Sequence, residues 1–468
     1  MDTTIFSTRN GFEYQYLPKQ KIIIPNDTDP TDKEYYKKKD AFFRDNGIAD
    51  SFDPQLNTDY DPSAIESNLA NLRMMVLEVT DGCNLACEYC GYGKLYNNYD
   101  KRSGKKIDFN TIKVMIDYLY KLWISPLNVS YNNTITIEFY GGEPLLSFDI
   151  IKKTISYIES LKIDSVNFQY NMTTNAMLLD KCMDFLAEKN FSLLLSLDGN
   201  KLNNSYRVTK NGRESFDKII KNIKHLQQKY PSYFEEKVNF NSVLHNKNNE
   251  EEVISFIRNE FGKVPRVAAL NPNGIEESKI EEFYRLFRNR DFIDIEKDDN
   301  SIDTELLDNS TDFTLLSSFF DAFLSNSFNS YAELFSNESE KEYIPTGTCH
   351  PFSRKIFLTV NGKILPCERI GQNEPLGHIR DGEVQINFNE VAGLYAKKYN
   401  QIIHQCRKCI NWNNCSYCVF HIKERKGKLV CERFRPDTRA QSYCSQNLSL
   451  LESKPLLFNE LLKRTFKS

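Results

Sequence analysis

Three cysteines, Cys83, Cys87 and Cys90, stand in the spacing CxxxCxxC, with Tyr89 just before the third. Thiolates this close in sequence can hold three irons of a four-iron four-sulfur cube and leave the fourth iron open to an outside ligand. The same donors could instead form a zinc site that draws its fourth ligand from elsewhere. A second set crowds the last quarter of the chain: Cys349, Gly362, Cys367, the pairs Cys406/Cys409 and Cys415/Cys418, Cys431 and, further on, Cys444. Two CxxC pairs suggest a zinc knuckle by default, but the seven thiols from Cys349 to Cys431 are too many for one zinc. They nearly fill two cubes, which need about eight thiolates. Cys182 stands apart in LLDKCMDFLAEK, on the side of Leu178, Leu179, Phe185 and Leu186, and reads as a small core residue. No HxxxH or HExxH pair occurs among the six histidines, so a histidine-bound catalytic metal has no support.

The elements that must position these thiols alternate. Apolar or alternating runs at 74–79, 134–140, 166–172, 193–197, 238–244 and 267–270 read as strands. Helix-period stretches at 109–123, 150–161, 178–189, 215–228 and 250–261 separate them. Repeated βα units imply an α/β fold with a parallel sheet, open or closed into a barrel, whose ligands gather at the C-terminal strand ends. Cys83, Cys87 and Cys90 follow the first strand. Gly141-Gly142-Glu143-Pro144 follows the second, Thr173-Thr174-Asn175 the third, and Ser196-Leu197-Asp198-Gly199 the fourth, with Arg207 just beyond. Glycines let backbone approach a ligand closely, and a carboxylate can receive an ammonium group. Each turn alone is a weak signal; their order and placement make a strong joint one.

Outside the barrel, Phe12, Tyr14 and Tyr16 alternate with polar residues and Ile22–Ile24 returns, which reads as a hairpin, followed by a helix over 32–44. Such a sheet edge can capture an extended peptide, or the segment can be a plain cap over the barrel. Asn271-Pro272-Asn273-Gly274 should end the barrel. Beyond it come a solvated loop over 296–309, a helix over 313–328 and a terminal helix over 448–466. The expected division is therefore 1–70, 71–271, 272–345, 346–446 and 447–468. Composition narrows the partners. Lys and Arg number 60 against 64 Asp and Glu, a net charge of −4, so electrostatic capture of nucleic acid or an anionic membrane is not expected. No run approaches the ~18 apolar residues of a membrane span, and Met1–Asn10 lacks the plan of a signal peptide. A cytoplasmic protein is expected, and in that reducing setting clustered thiols bind metal rather than pair.

With VTDGCNLACEYC, FYGGEP, MTTNA and SLDG in this order, the chain resembles the radical SAM superfamily over about 73–244. Over 349–431 it resembles that superfamily's SPASM subgroup of peptide and protein maturases. The resemblance implies a partial (β/α)6 TIM-like barrel, a C-terminal SPASM domain with two auxiliary clusters, and a small N-terminal α+β segment. It implies S-adenosylmethionine (SAM) chelated to the open iron of the cluster on Cys83, Cys87 and Cys90. Gly141, Gly142 and Glu143 would then hold the methionine amino group, Ser196 the ribose, Arg207 the methionine carboxylate, and the backbone around Tyr89 the adenine; Asn175 belongs to the same cofactor site. Cys406, Cys409, Cys415 and Cys431 would close an outer 4Fe-4S cluster, and Cys349, Cys367 and Cys418 an inner one.

The sequence departs from that pattern in two places. The last spacing is CxxC where the family often shows CxxxC, and an upstream cysteine of some members is absent, with Tyr343 in its neighbourhood. Cys444 is then a spare thiol that could be the missing ligand, a hydrogen-atom donor or a buried packing residue. The resemblance implies reduction by a donor such as flavodoxin or ferredoxin. The implied substrate is a ribosomally made precursor peptide, receiving a thioether, a carbon–carbon or carbon–oxygen crosslink, or an epimerised residue. An anaerobic sulfatase-maturing enzyme that forms formylglycine is the alternative; those enzymes carry Asp after the cysteine matching Cys367, where Glu368 stands here. A noncatalytic metal-binding scaffold is a third reading, against which stands the full set of cluster cysteines. Three cubes predict about twelve irons per chain after anaerobic reconstitution. Saturation near four irons, or zinc alone, would remove the auxiliary clusters.

Overall fold

The computed structural model describes residues 4–17, 22–27, 31, 34, 35, 38, 41, 42, 45, 56–130, 134–163, 166–290, 302–307, 310–323, 344–412 and 415–463. The chain divides into two compact units, one of residues 1–59, 292–348 and 395–468, the other of 60–291 and 349–394. This cuts across the linear division expected from sequence. The segment 346–446 is shared between the units, and the N-terminal segment belongs with the C-terminal one.

In the first unit, β1 (Thr4–Ser7), β2 (Glu13–Leu17) and β3 (Ile22–Pro25) form an antiparallel sheet in that order. The β2–β3 pairing is the hairpin read from sequence. The additional strand β1 carries too short a pattern to announce itself. The sheet lies on the helix Ala440–Ser453: Ser445 Oγ donates to Ser7 O at 2.7 Å, Arg9 N to Ser449 Oγ at 2.9 Å, and the Tyr14 hydroxyl to Glu452 at 2.9 Å. Phe6, Tyr16, Phe319, Ile410, Ala440, Cys444 and Leu448 form the apolar core beneath it. The terminal helix expected over 448–466 is two, Ala440–Ser453 and Pro455–Leu462. Pro455 has no N–H to donate to the earlier turn and suits the first turn of a new helix. The helix expected over 313–328 runs Thr311–Phe323, and the rest of that stretch, with most of 32–44 and 296–309, lies outside the described residues.

The second unit carries the βα repeat. β4 (Met74–Thr80), β5 (Thr134–Gly141), β6 (Asn167–Thr174), β7 (Ser192–Ser196), β8 (Val238–Leu244) and β9 (Arg266–Ala269) lie side by side in chain order, all parallel. The helices Phe109–Trp123, Phe148–Ser160, Phe216–Lys229 and Glu250–Phe261 cover the outer face. The helix expected over 178–189 is broken into a 3-10 turn, Leu179–Lys181, and a short helix, Met183–Glu188. Cys182 sits at the break with non-helical backbone, buried as the sequence suggested.

Strand alternation sorts the side chains. Ile135, Ile137 and Phe139 are fully buried, while Thr136, Glu138 and Tyr140 take the opposite, concave face. The free edge of β4 is occupied by β10 (Ile356–Leu358), parallel to it, followed by β11 (Lys363–Leu365), β12 (Gly377–Arg380) and β13 (Glu383–Gln385), each antiparallel to the last. Every residue of β10 is buried, so the strand gains from a doubly covered position that an exposed hairpin would not give it. No helix among the described residues is long and apolar enough to cross a membrane.

Because Phe357 is fully buried at the β4–β10 pairing, Phe357→Ala should cost about 3–5 kcal/mol and shift the unfolding of the whole second unit as one transition. Calorimetry showing a separate early transition, with the barrel's own melting unchanged, would mean that these strands fold apart from it.

Candidate active site

β4 delivers the cluster loop to the C-terminal edge of the sheet, and backbone hydrogen bonds hold it there from two sides. On one side Gly142 N donates to Thr80 O and Glu143 N to Gly82 O, both at 2.9 Å. On the other, Ala86 N donates to Val208 O at 2.7 Å and Glu88 N to Tyr206 O at 3.2 Å. The glycine pair is explained by this docking. A Cβ on Gly141 would lie 2.1 Å from Thr80 O and one on Gly142 2.0 Å from Gly82 O, so no other residue fits. Cys83, Cys87 and Cys90 are thereby brought together, each close enough for its charge to be felt by the others. Burial pushes the Cys83 thiol up to about 11 and Cys87 up to about 12. Thiols so disfavoured as free anions need a positive partner to ionise, which irons supply. Leu85 N at 3.4 Å and Asn175 Nδ2 at 3.7 Å donate to Cys83 Sγ.

Glu143 begins the turn after β5 and is fully buried by its neighbours. One carboxylate oxygen accepts from Leu145 N at 3.1 Å and Thr174 Oγ1 at 2.7 Å, the other from Asn175 N at 2.8 Å. Burial nevertheless dominates these donors and raises its pKa from the ordinary 4.5 to about 7. A cation placed beside such a buried carboxyl would favour its charged form. Thr173-Thr174-Asn175 thus contributes more than sequence indicated: Thr174 and Asn175 fix the Glu143 carboxylate, and Asn175 also donates to Asn84 Oδ1 at 2.7 Å. Ser196 ends β7, partly exposed on the concave face.

Arg207 has a partner that the sequence did not indicate. Its guanidinium is engaged by Asp198, Nε donating to Oδ2 at 2.9 Å and Nη2 to Oδ1 at 3.0 Å. The Tyr89 hydroxyl donates to the same carboxylate, and Val243 N does so at 2.9 Å. Both members of the ion pair are buried. The Tyr89 ring packs on His245 at 5.5 Å between centroids, so Tyr89 braces the cluster loop from behind. Asp198, which the sequence presents only as part of an SLDG turn, organises this group. Its signal was its place at a C-terminal strand end.

The C-terminal cysteines separate into sets. In the first unit Cys406, Cys409, Cys415 and Cys431 line one cavity of about 170 Å³. A water needs roughly 10–15 Å³ on this measure, so the cavity suits a polyatomic group better than one ion. Arg433 and Arg435, also on its wall, stack over Tyr417 and Tyr443 at 4.8 and 4.4 Å and bring positive charge to the thiolates. Backbone amides two residues ahead point at the sulfur in four cases: Leu85 at Cys83, Arg369 at Cys367, Tyr417 at Cys415 and Arg433 at Cys431. Such N–H groups stabilise thiolate over thiol and tune a bound cluster.

No group of three or more His, Cys, Asp or Glu among the described residues closes around a single metal ion. A cube does not ask for that, because each thiolate binds its own iron. The donor sets of Cys83/Cys87/Cys90 and Cys406/Cys409/Cys415/Cys431 therefore fit iron-sulfur clusters. Of the remaining thiols, Cys349, exposed, and Cys367 belong to the second unit, and Cys418 to the first. Cys444 is not brought to the cavity. It is fully buried in the apolar core with Phe6, Tyr16 and Leu448, and burial alone pushes it up to about 12. That placement corrects its inclusion among candidate metal ligands and makes it a packing residue.

The family profile "Radical SAM superfamily" matches residues 77–259. The radical SAM cyclopropyl synthase TigE of Paramaledivibacter caminithermalis is 23% identical over 363 residues, 74% of this chain and 66% of that protein. A cysteine-type anaerobic sulfatase-maturating enzyme of Clostridium novyi is 27% identical over 163 residues, 34% of this chain and 41% of that one. The chain thus spans less than two thirds of the length of these curated relatives. The structure of anSMEcpe with bound AdoMet and the Cp18Cys peptide superposes with a TM-score of 0.52 at 18% identity, covering 84% of this chain and 99% of that one. That likeness concerns the fold, a largely parallel α/β sheet. Residues 77–259, with CxxxCxxC on the loop after the first barrel strand and the GGEP turn docked against it, form a radical SAM domain.

Proposed function

We propose that the chain is a radical SAM peptide maturase acting on a ribosomally made precursor peptide. The observation that carries this reading is the buried, three-donor Glu143 carboxylate held beside Cys83, Cys87 and Cys90. A four-iron four-sulfur cluster on these thiols, when bound, supplies the electron that cleaves SAM and so generates the 5'-deoxyadenosyl radical that takes a hydrogen atom from the substrate. The protein's own residues do the rest. Glu143 receives the SAM ammonium group, which draws its carboxyl into the charged form. Ser196 faces the ribose, and the segment around Tyr89 lies at the adenine. Arg207 keeps its Asp198 partner and offers its remaining Nη1 to the methionine carboxylate. Asn175 steadies both the Glu143 carboxylate and the Cys83 sulfur, and closure of the site excludes water.

Cys406, Cys409, Cys415 and Cys431 would hold one auxiliary cluster. A flavodoxin- or ferredoxin-type donor would supply the electron. A peptide substrate is supported by the relatives: TigE is named a cyclopropyl synthase and anSMEcpe was solved with a peptide. Among the described residues β1 and β3 each pair on one side only, leaving edges that a leader segment could extend as an added strand. Formylglycine formation on a sulfatase is the second reading. It is favoured by the likeness to the sulfatase-maturating enzyme of Clostridium novyi, while Glu368, held by Lys355 Nζ at 3.0 Å to both oxygens where sulfatase maturases carry Asp, counts against it. Incubation with a precursor peptide and with a sulfatase-derived Cys or Ser peptide, read by mass spectrometry, separates the two.

With dithionite and SAM the wild type should release 5'-deoxyadenosine and methionine. Replacing Cys83, Cys87 and Cys90 together by Ala should abolish both and remove about four irons, leaving the C-terminal iron in place. Cys444→Ala should leave iron content unchanged. Deoxyadenosine at the wild-type rate from the triple variant would sink the assignment.

SAM affinity should depend on pH through Glu143. Its pKa near 7 in the free protein means that below pH 7 the ammonium must displace a proton, so affinity should fall by up to about tenfold per pH unit. By the same sign, the ligand-free fold loses stability as pH rises from about 4.5 to about 7. Glu143→Gln should weaken binding by about 1.5–3 kcal/mol and flatten the profile. A wild-type affinity independent of pH between about 6 and 8, one unit either side of the titration, would exclude this role.

A further inference from the structure

Arg102 follows the cluster cysteines in the loop that leads to the first barrel helix, and nothing in the sequence marks it out. Its guanidinium lies 3.5 Å over the ring of Tyr92. Tyr92 in turn packs against Tyr99 at 4.7 Å and Tyr140 at 6.2 Å between centroids. The cation is thus seated on an aromatic stack, and its Nη2 is buried without a hydrogen-bond partner among the described residues. Its charge reaches Cys83, where it favours the thiolate, and also Glu78 and Tyr99. Glu78 is occupied elsewhere, accepting from Val360 N at 3.0 Å, and burial brings its carboxyl up to about 7, so it offsets only part of the charge of Arg102. The adjoining backbone is pinned by Ser103 N donating to Asp81 Oδ2 at 3.1 Å. A positive group is therefore fixed by its stack on Tyr92, two residues beyond the cluster cysteine Cys90, with an open donor and no ion-pair partner among the described residues.

We propose that Arg102 is a positioning residue that balances the charge of the cluster on Cys83, Cys87 and Cys90 and raises its reduction potential. A cube on three thiolates is anionic and gains one more negative charge when a flavodoxin, a ferredoxin or dithionite passes it an electron. A cation held nearby in a low-dielectric setting stabilises that reduced form over the oxidised one. The aromatic seat keeps the guanidinium at one distance, which a flexible ammonium on the surface would not do. The inference rests on the cluster reading made above for the same three thiols.

The test is a potentiometric titration followed by electron paramagnetic resonance on the full, anaerobically reconstituted chain. The relevant signal is identified by its change on adding SAM, and iron per chain is measured alongside. R102Q should keep its iron and show a more negative midpoint, while R102K, which retains the charge, should stay near wild type. Loss of iron in R102Q with retention and a near-wild-type midpoint in R102K supports the same role. A wild-type midpoint in R102Q overturns the inference, as does a shift in R102K as large as that in R102Q. Loss of iron from both variants also overturns it, in favour of a structural brace. A wild type with no SAM-responsive signal would instead overturn the cluster reading and this inference with it.

Discussion

Much of the active-site half of the barrel hangs on one buried carboxylate. Asp198 leaves the end of β7 and gathers the Arg207 guanidinium, the Tyr89 hydroxyl and Val243 N around itself. Tyr89 is a residue of the cluster loop, and the backbone of 206–208 is the platform on which that loop rests. The ion pair therefore braces, through Tyr89 and the 206–208 backbone, a loop that backbone hydrogen bonds also hold to the GGEP turn. Replacing the pair by apolar residues could preserve packing, but removing one member alone would leave a buried charge unmet, at a cost of about 3–5 kcal/mol. The loop would lose this brace by the same event.

Glu143 works on the other side of the loop by the opposite principle. Asp198 is satisfied by a full cation; Glu143 is given only neutral donors and burial, and so waits for its positive partner. Two carboxylates at strand ends are thus prepared differently, one with a full cation and one with neutral donors alone. The contrast follows from what each strand end places nearby: an arginine after β7, a threonine hydroxyl and backbone amides after β6.

The barrel was largely legible in the sequence because its strands are apolar or alternating runs and its helices keep a regular apolar face. Ile135, Ile137 and Phe139 announce β5 as plainly as they pack it. The cluster thiols and GGEP were legible because short spacings and glycines carry chemistry directly. What could not be read depended on distant partners. β10 joins β4 across more than two hundred residues, so no local pattern shows that 356–385 belong to the barrel sheet. The Asp198 partner of Arg207 could not be read because a guanidinium near a cofactor site has several possible anions, and only the fold shows that Asp198 is at hand. Cys444 looked like a spare ligand by its count in the sequence, whereas its depth in the core is a property of the packed sheet and helix.

The fastening of Ser7, Arg9 and Tyr14 to Ser445, Ser449 and Glu452 joins residues some 438–440 positions apart. On the ribosome this unit cannot close until nearly all of the chain has been made, because its first strands wait for its last helices. The cavity of Cys406, Cys409, Cys415 and Cys431 shares that unit and its core. Its thiols therefore emerge late into a shell that is still assembling, open to iron delivery and to oxidation alike. Closure of the shell around these thiols is timed by the meeting of the first strands with the helices Ala440–Ser453 and Pro455–Leu462.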